Sequence, residues 1–96
     1  MTKLTIIANI IAKDGQVEFV KSGLIKLIDK TRGEQGCINY DLHQDNQNPA
    51  HFVFHENWES EAALNAHLAS EHIASYVAAV EGAVDTFTLN RMTHIA

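Results

Sequence analysis

Lys3-Leu4-Thr5-Ile6-Ile7-Ala8-Asn9-Ile10-Ile11-Ala12-Lys13 is rich in β-branched residues and carries apolar side chains on both sides of an extended chain. Side chains alternate across a strand, so Leu4, Ile6, Ala8, Ile10 and Ala12 share one face, and Thr5, Ile7, Asn9 and Ile11 the other. An edge strand normally shows one polar face, whereas a strand apolar on both sides belongs in the middle of a sheet covered from two directions. Asn9 is a polar group set into this run and demands hydrogen-bond partners where buried; a cross-strand side chain is the ordinary one.

Outward from this strand the pattern turns helical. Asp14 is a candidate cap, Glu18 complements the helix dipole, and Val17, Val20, Leu24, Leu27 and Ile28 recur at helical spacing, predicting a helix from about Gly15 to Thr31. Gly33 and the polar turn Glu34-Gln35-Gly36 end it. A second strand follows, with Ile38, Tyr40 and Leu42 on one face. Gln44 to Pro49 is a turn, and the hairpin partner runs from about Ala50 to Trp58. From Ser60, a fair N-cap, small and apolar residues recur at three or four (Ala63, Ala66, Ser70, Ile73, Val77, Val80), with a break predicted at Ser70-Glu71. Gly82 closes this stretch, and Val84 to Met92 reads as a last strand.

The order strand, helix, strand, strand, helix, strand is that of an α+β, ferredoxin-like split βαβ domain (βαββαβ) with an antiparallel sheet, its first and third strands central and its helices on one face. The other face is then bare. A second copy laid sheet to sheet would cover it, so a homodimer is expected, and residues 1–96 are read as one domain.

Composition narrows the function classes. A net charge of −5 without any Lys/Arg cluster argues against nucleic acid and against an anionic membrane surface as partners. No apolar run reaches the roughly 18 residues of a spanning helix, and Met1-Thr2-Lys3-Leu4 lacks the features of a secretory signal, so a cytoplasmic location is expected. Cys37 has no second cysteine to pair with.

Three residues stand out chemically. The third strand sets Phe52, Phe54, Glu56 and Trp58 on one face. A carboxylate buried between aromatics has its pKa raised and becomes a proton acceptor near neutral pH; the alternative is a Glu at the sheet margin paired with a cation. His67 falls among small residues on a helix, as a packed core histidine or as an imidazole pointing into a cavity. His72 lies five residues on, about 140° round a continuous helix, whereas a helical zinc pair wants a spacing of three or four, so no metal site is expected. Trp58 is either core or a platform for a planar ring, and Tyr76 either packing or a hydroxyl donor.

The run Arg32-Gly33-Glu34-Gln35-Gly36-Cys37-Ile38-Asn39-Tyr40, followed by Phe52 to Trp58, Ala62-Ala63-Leu64-Asn65-Ala66-His67 and Ser70-Glu71-His72, resembles the antibiotic biosynthesis monooxygenase superfamily, and within it the small bacterial quinol monooxygenases. The resemblance implies a dimeric α/β barrel with a pocket between sheet and helices in each subunit. It also implies oxidation of a small aromatic phenol or quinol by O2 without flavin, haem or metal. On that basis Glu56 or His67 takes the substrate proton, Trp58 holds the ring, Asn9 donates to a substrate oxygen or peroxide, and His72 and Tyr76 line the mouth. Haem-degrading relatives place a Trp and a His where His67 and Val77 stand, which disfavours haem. A branch that isomerises a phosphorylated signalling sugar by acid–base chemistry is the runner-up, and a non-catalytic dimer binding a small ligand is the third reading.

Overall fold

The first strand, β1 (Leu4–Ala12), lies inside a four-stranded antiparallel sheet whose order is β2-β3-β1-β4, with β2 at Cys37–Gln44, β3 at His51–Trp58 and β4 at Val84–Met92. The computed structural model describes residues 3–96; Met1 and Thr2, on which the reading of the chain's start partly rests, lie outside them. Both central strands are the predicted ones. Ile6, Ala8, Ile10 and Ala12 of β1 are all buried, on the face where Val20, Leu24, Leu27, Leu64 and Val80 of the helical layer complete one apolar core. Thr5, Ile7, Asn9 and Ile11 stand half-buried on the opposite, open face.

Each crossover holds two helical pieces, and only one of the two breaks is visible in the sequence. The expected helix over Gly15 to Thr31 divides into α1 (Val17–Ile25) and α2 (Ile28–Arg32), because Leu27 N bonds to Leu24 O, three residues back, and tightens the chain there. Asp14 is not the cap: Lys13 to Gln16 form a turn with Gly15 at φ 78°, and the cap position falls to Gln16 without a side-chain bond. In the second crossover Ser60 Oγ accepts from Ala63 N, starting α3 (Glu61–Leu68) as predicted, and Ser70 adopts an extended conformation that separates α3 from α4 (Glu71–Val80). Leu64 and His67 form the buried stripe of α3, whereas Ala66 faces solvent. Among the described residues no helix is long and apolar enough to cross a membrane.

The hairpin between β2 and β3 is held by Asp45 Oδ1, which accepts from Gln47 N at 2.8 Å and Asn48 N at 3.4 Å. At the other end of β2, Gly36 (φ 87°) passes close to α3, and Gly36 O accepts from Glu59 N at 2.8 Å. A methyl group at position 36 would lie 2.5 Å from Ala63 Cβ. Gly36→Ala combines a left-handed backbone penalty with overpacking, and is expected to cost roughly 2–4 kcal/mol, read from urea unfolding midpoints. A cost within experimental error of zero would show that this close approach is not a constraint.

Candidate functional site

Between the helix-facing side of the sheet and the crossovers lies a cavity of about 290 Å³. Its size is at the low end for small-molecule sites, which run from ~300 Å³ upward. The sheet contributes Ala8 and Ile10 from β1, Tyr40 from β2, Phe54 and Glu56 from β3, and Phe87 and Leu89 from β4. The helical layer contributes Leu24, Leu27, His67, Leu68, Ile73, Tyr76, Val77 and Val80. Val77 and Phe87 are exposed by more than half and stand at the rim, where an apolar ligand would cover them.

A buried imidazole and a buried carboxyl reach into this largely apolar space from opposite layers, and Glu81, an exposed residue, also lines it. His67, only 3% exposed, is wedged between Trp58 (ring centroids 4.7 Å apart) and the edge of Tyr40 (5.4 Å). Its Nδ1 lies 2.7 Å from Glu34 Oε2. Glu34 is not on the cavity wall, so the imidazole spans that wall. The carboxylate fixes the Nδ1–H tautomer and leaves Nε2 with its lone pair. Burial pushes the imidazole pKa below its ordinary value against the opposing pull of Glu34, which keeps the ring neutral at pH 7.

Glu56 is the second group, 3% exposed and placed by the strand alternation between Phe54 and Trp58. Trp58 Nε1 donates to its Oε1 at 2.9 Å. Burial raises the Glu56 pKa to about 7; the indole bond lowers it, and the charge on Glu34 adds to the rise. No fully buried side-chain nitrogen or oxygen among the described residues lacks a partner. Glu56 Oε2 and His67 Nε2 carry no hydrogen bond, so neither is fully buried, and both residues line the cavity. Neither a margin position for Glu56 nor a cation partner is found: the carboxyl is buried and bonded to an indole.

Other candidates are placed differently from expectation. Trp58 is 0% exposed and absent from the cavity wall; it holds Glu56 and backs His67 and offers no face to a ring. Asn9 is on the open face of the sheet, its Oδ1 3.0 Å from His51 Nε2, with the central strand between it and the cavity. That cross-strand partner is the ordinary one for its type. His72 does not line the cavity; it faces a second hollow between α1 and α4 together with Lys26, Lys30 and Ser75. Tyr76 lines both spaces, and burial raises its hydroxyl pKa to about 12. The expectation that His67 and His72 point apart is also corrected. The break at Ser70 restarts the helical phase and brings the rings to 6.0 Å, both beside Glu34. Glu34 itself passes for an ordinary turn residue in the sequence. The one local signal is Gly36, whose backbone lets the turn come against α3 and the end of β3.

Residues 4–79 match the model of the family described as antibiotic biosynthesis monooxygenase. The Escherichia coli K12 protein named "Probable quinol monooxygenase YgiN" is 34% identical over 91 residues, covering 84% of this chain and 88% of that protein. The match to the Synechocystis protein sll1783 is confined to 50 residues, 52% of this chain and 34% of that protein's length. Among solved structures, PA3566 from Pseudomonas aeruginosa superposes with a TM-score of 0.95 at 33% identity, covering 100% of this chain and 97% of that one. SO0527 from Shewanella oneidensis gives 0.91 at 29% identity, covering 97% and 91%.

The raised Glu56 pKa has a consequence for stability. Between the ordinary value of 4.5 and about 7 the folded chain keeps a proton that the unfolded chain has released. Stability therefore falls as pH rises through that window and levels off above it. His67 acts in the opposite sense, its contribution growing as pH rises toward 6.5. Glu56→Gln keeps an acceptor for Trp58 and isolates the first effect. The variant should gain on the wild type by up to about 3 kcal/mol between pH 4.5 and pH 8, by urea unfolding. A difference that does not change with pH would mean that the Glu56 pKa is not raised.

Proposed function

Because the chain belongs to the antibiotic biosynthesis monooxygenase family, we propose that it is a monooxygenase that oxidises a small aromatic quinol or phenol to a quinone with O2 inside the cavity. The observation that carries this reading is the presence of two buried proton acceptors, His67 Nε2 and Glu56 Oε2, in a largely apolar cavity whose wall has no Lys or Arg.

The chemistry has two proton transfers for these groups to perform. His67 takes the hydroxyl proton, giving an electron-rich phenolate that passes one electron to O2. The phenoxyl radical and superoxide recombine at a ring carbon bearing hydrogen, forming a C–O bond. Ionised Glu56 then removes that carbon's proton while the O–O bond breaks. The distal oxygen leaves as water with the two protons taken up, and the proximal oxygen remains as the new carbonyl. One oxygen atom enters the product, the other becomes water, and the substrate supplies all the electrons, so the scheme assigns no cofactor. A carboxyl with a pKa of about 7 accepts and returns a proton readily near neutral pH. Glu34 is a positioning residue here: it orients His67 and stabilises the imidazolium that forms. The apolar wall and the aromatic rim at Phe87 suit a flat ring. A phosphorylated sugar fits this cavity poorly, since its phosphate would meet Glu56 and Glu81 and no cation.

The same reading includes a homodimer joined through the open sheet face, where Ile7, Ile11 and Val53 are half-buried. Ile7→Arg should then yield a monomer in sedimentation at concentrations where the wild type sediments as a dimer.

Oxygen uptake with a naphthalene-diol type substrate is the direct test. His67→Ala and Glu56→Gln should each lower kcat by about 10²-fold or more. Glu34→Gln should lower it less and shift the pH profile, because the base survives but loses its carboxylate. Uptake unchanged in both of the first two variants would remove these roles. Silence across a broad substrate screen, with a ligand still raising thermal stability, would favour a binding module.

A further inference from the structure

His67 and His72 lie on different helices that meet at Ser70, and Glu34 reaches both from the turn before β2. We propose that Glu34, His67 and His72 form a binding site for a divalent transition-metal ion, Zn2+ above all, in the wall behind the cavity. Glu34 Oε2 is 2.7 Å from His67 Nδ1 and 3.4 Å from His72 Nε2, and one ligand atom from each residue lies within 4.8 Å of the other two. No other group of three such residues comes together among the described residues.

A tetrahedral ion with bonds of ~2.1 Å holds its donors about 3.4 Å apart. The Glu34–His72 separation already has that value. The Glu34–His67 contact opens by several tenths of an ångström when an ion takes the place of the proton between them, and the two nitrogens draw together. Glu34 supplies the slack, since its side chain is about one-fifth exposed and stands on a turn. His67 is fixed between Trp58 and Tyr40, and His72 stands within 3.4 Å of the hydroxyls of Thr31 and Ser70. Those hydroxyls are in reach of a water filling the remaining coordination position. Two imidazoles and one carboxylate suit Zn2+, Co2+ or Fe2+, while Ca2+ and Mg2+ prefer all-oxygen ligand sets.

Such an ion also has an effect on the cavity. Coordination at Nδ1 moves the imidazole proton to Nε2, so the atom facing the cavity changes from acceptor to donor with no net proton lost from the ring. Bound Zn2+ therefore inhibits a reaction in which His67 is the base. This consequence rests on the monooxygenase reading; the site itself does not.

Chelator-stripped full chain, titrated with Zn2+ by calorimetry and with Co2+ by visible absorption, tests both. One ion per chain is expected, with micromolar or tighter affinity and the intense bands of tetrahedral Co2+. Glu34→Gln and His72→Ala, checked for folding by circular dichroism, should each weaken binding at least tenfold, and His51→Ala should leave it unchanged. Binding no tighter than millimolar, or binding indifferent to Glu34→Gln and His72→Ala, would overturn the site. Zn2+ should suppress oxygen uptake at least tenfold, reversibly with chelator. Tight binding lost in the two variants but without that suppression would support the site and overturn His67 as the base.

Discussion

The hydrogen bond from His67 Nδ1 to the Glu34 carboxylate, 2.7 Å long, is the contact on which the arrangement of the site depends. An imidazole placed in an apolar core without a partner loses solvation of the order of 1–3 kcal/mol and has no reason to keep one tautomer. With Glu34 in place, the ring is oriented, its proton is assigned to one nitrogen, and the other nitrogen is left for whatever enters the cavity. Several local features serve this contact. Gly36 lets the turn approach α3, Ser60 starts that helix at a phase that turns His67 inward, and Trp58 and Tyr40 close on the ring.

Glu56 answers to the same physics with the opposite sign. Burial favours the uncharged form of any group, so it lowers the imidazole pKa below 6.5 and raises the carboxyl pKa from 4.5 to about 7, inverting the ordinary order of the two groups. The charge on Glu34 raises both, reinforcing the shift at Glu56 and moderating it at His67. Glu34 is more open to water than His67 and contacts its ring from outside the cavity wall.

Much of this was legible in the sequence. Period-two alternation places Glu56 and Trp58 on the core face, and the two apolar faces of β1 put it inside the sheet. Helical spacing finds the crossovers, and Ser70 marks the break. The missing part was the consequence of that break. Helical phase holds only within one continuous helix, so a rule that separates His67 from His72 by 140° loses its force once α4 starts afresh. Glu34 was hidden for a related reason: contacts made by turn residues have no periodicity to reveal them, and its partners lie 33 and 38 positions away. Asn9 shows the converse: it stands in the central strand that its sequence pattern predicts, but its parity puts it on the face away from Glu56's cavity, and parity decides which space a strand residue serves.

That parity also ties the two faces of the sheet together. Along β3 the core-facing residues Phe54, Glu56 and Trp58 alternate with His55 and Asn57. On the open face Asn57 accepts from Thr5 at 2.6 Å and donates to Asn39 at 2.7 Å, while Asn39 donates to Asp41 at 3.0 Å. Asn57 is nearly buried even though it stands on that open face. A strand cannot shift by less than a residue pair without exchanging its faces. The polar ladder that fixes Asn57 against its neighbours therefore also fixes the register of Glu56 against Tyr40 and Ile6. Any surface laid over the open face would act on the cavity through this shared backbone, by holding β3 in the one register that sets Glu56 opposite both Tyr40 and Ile6.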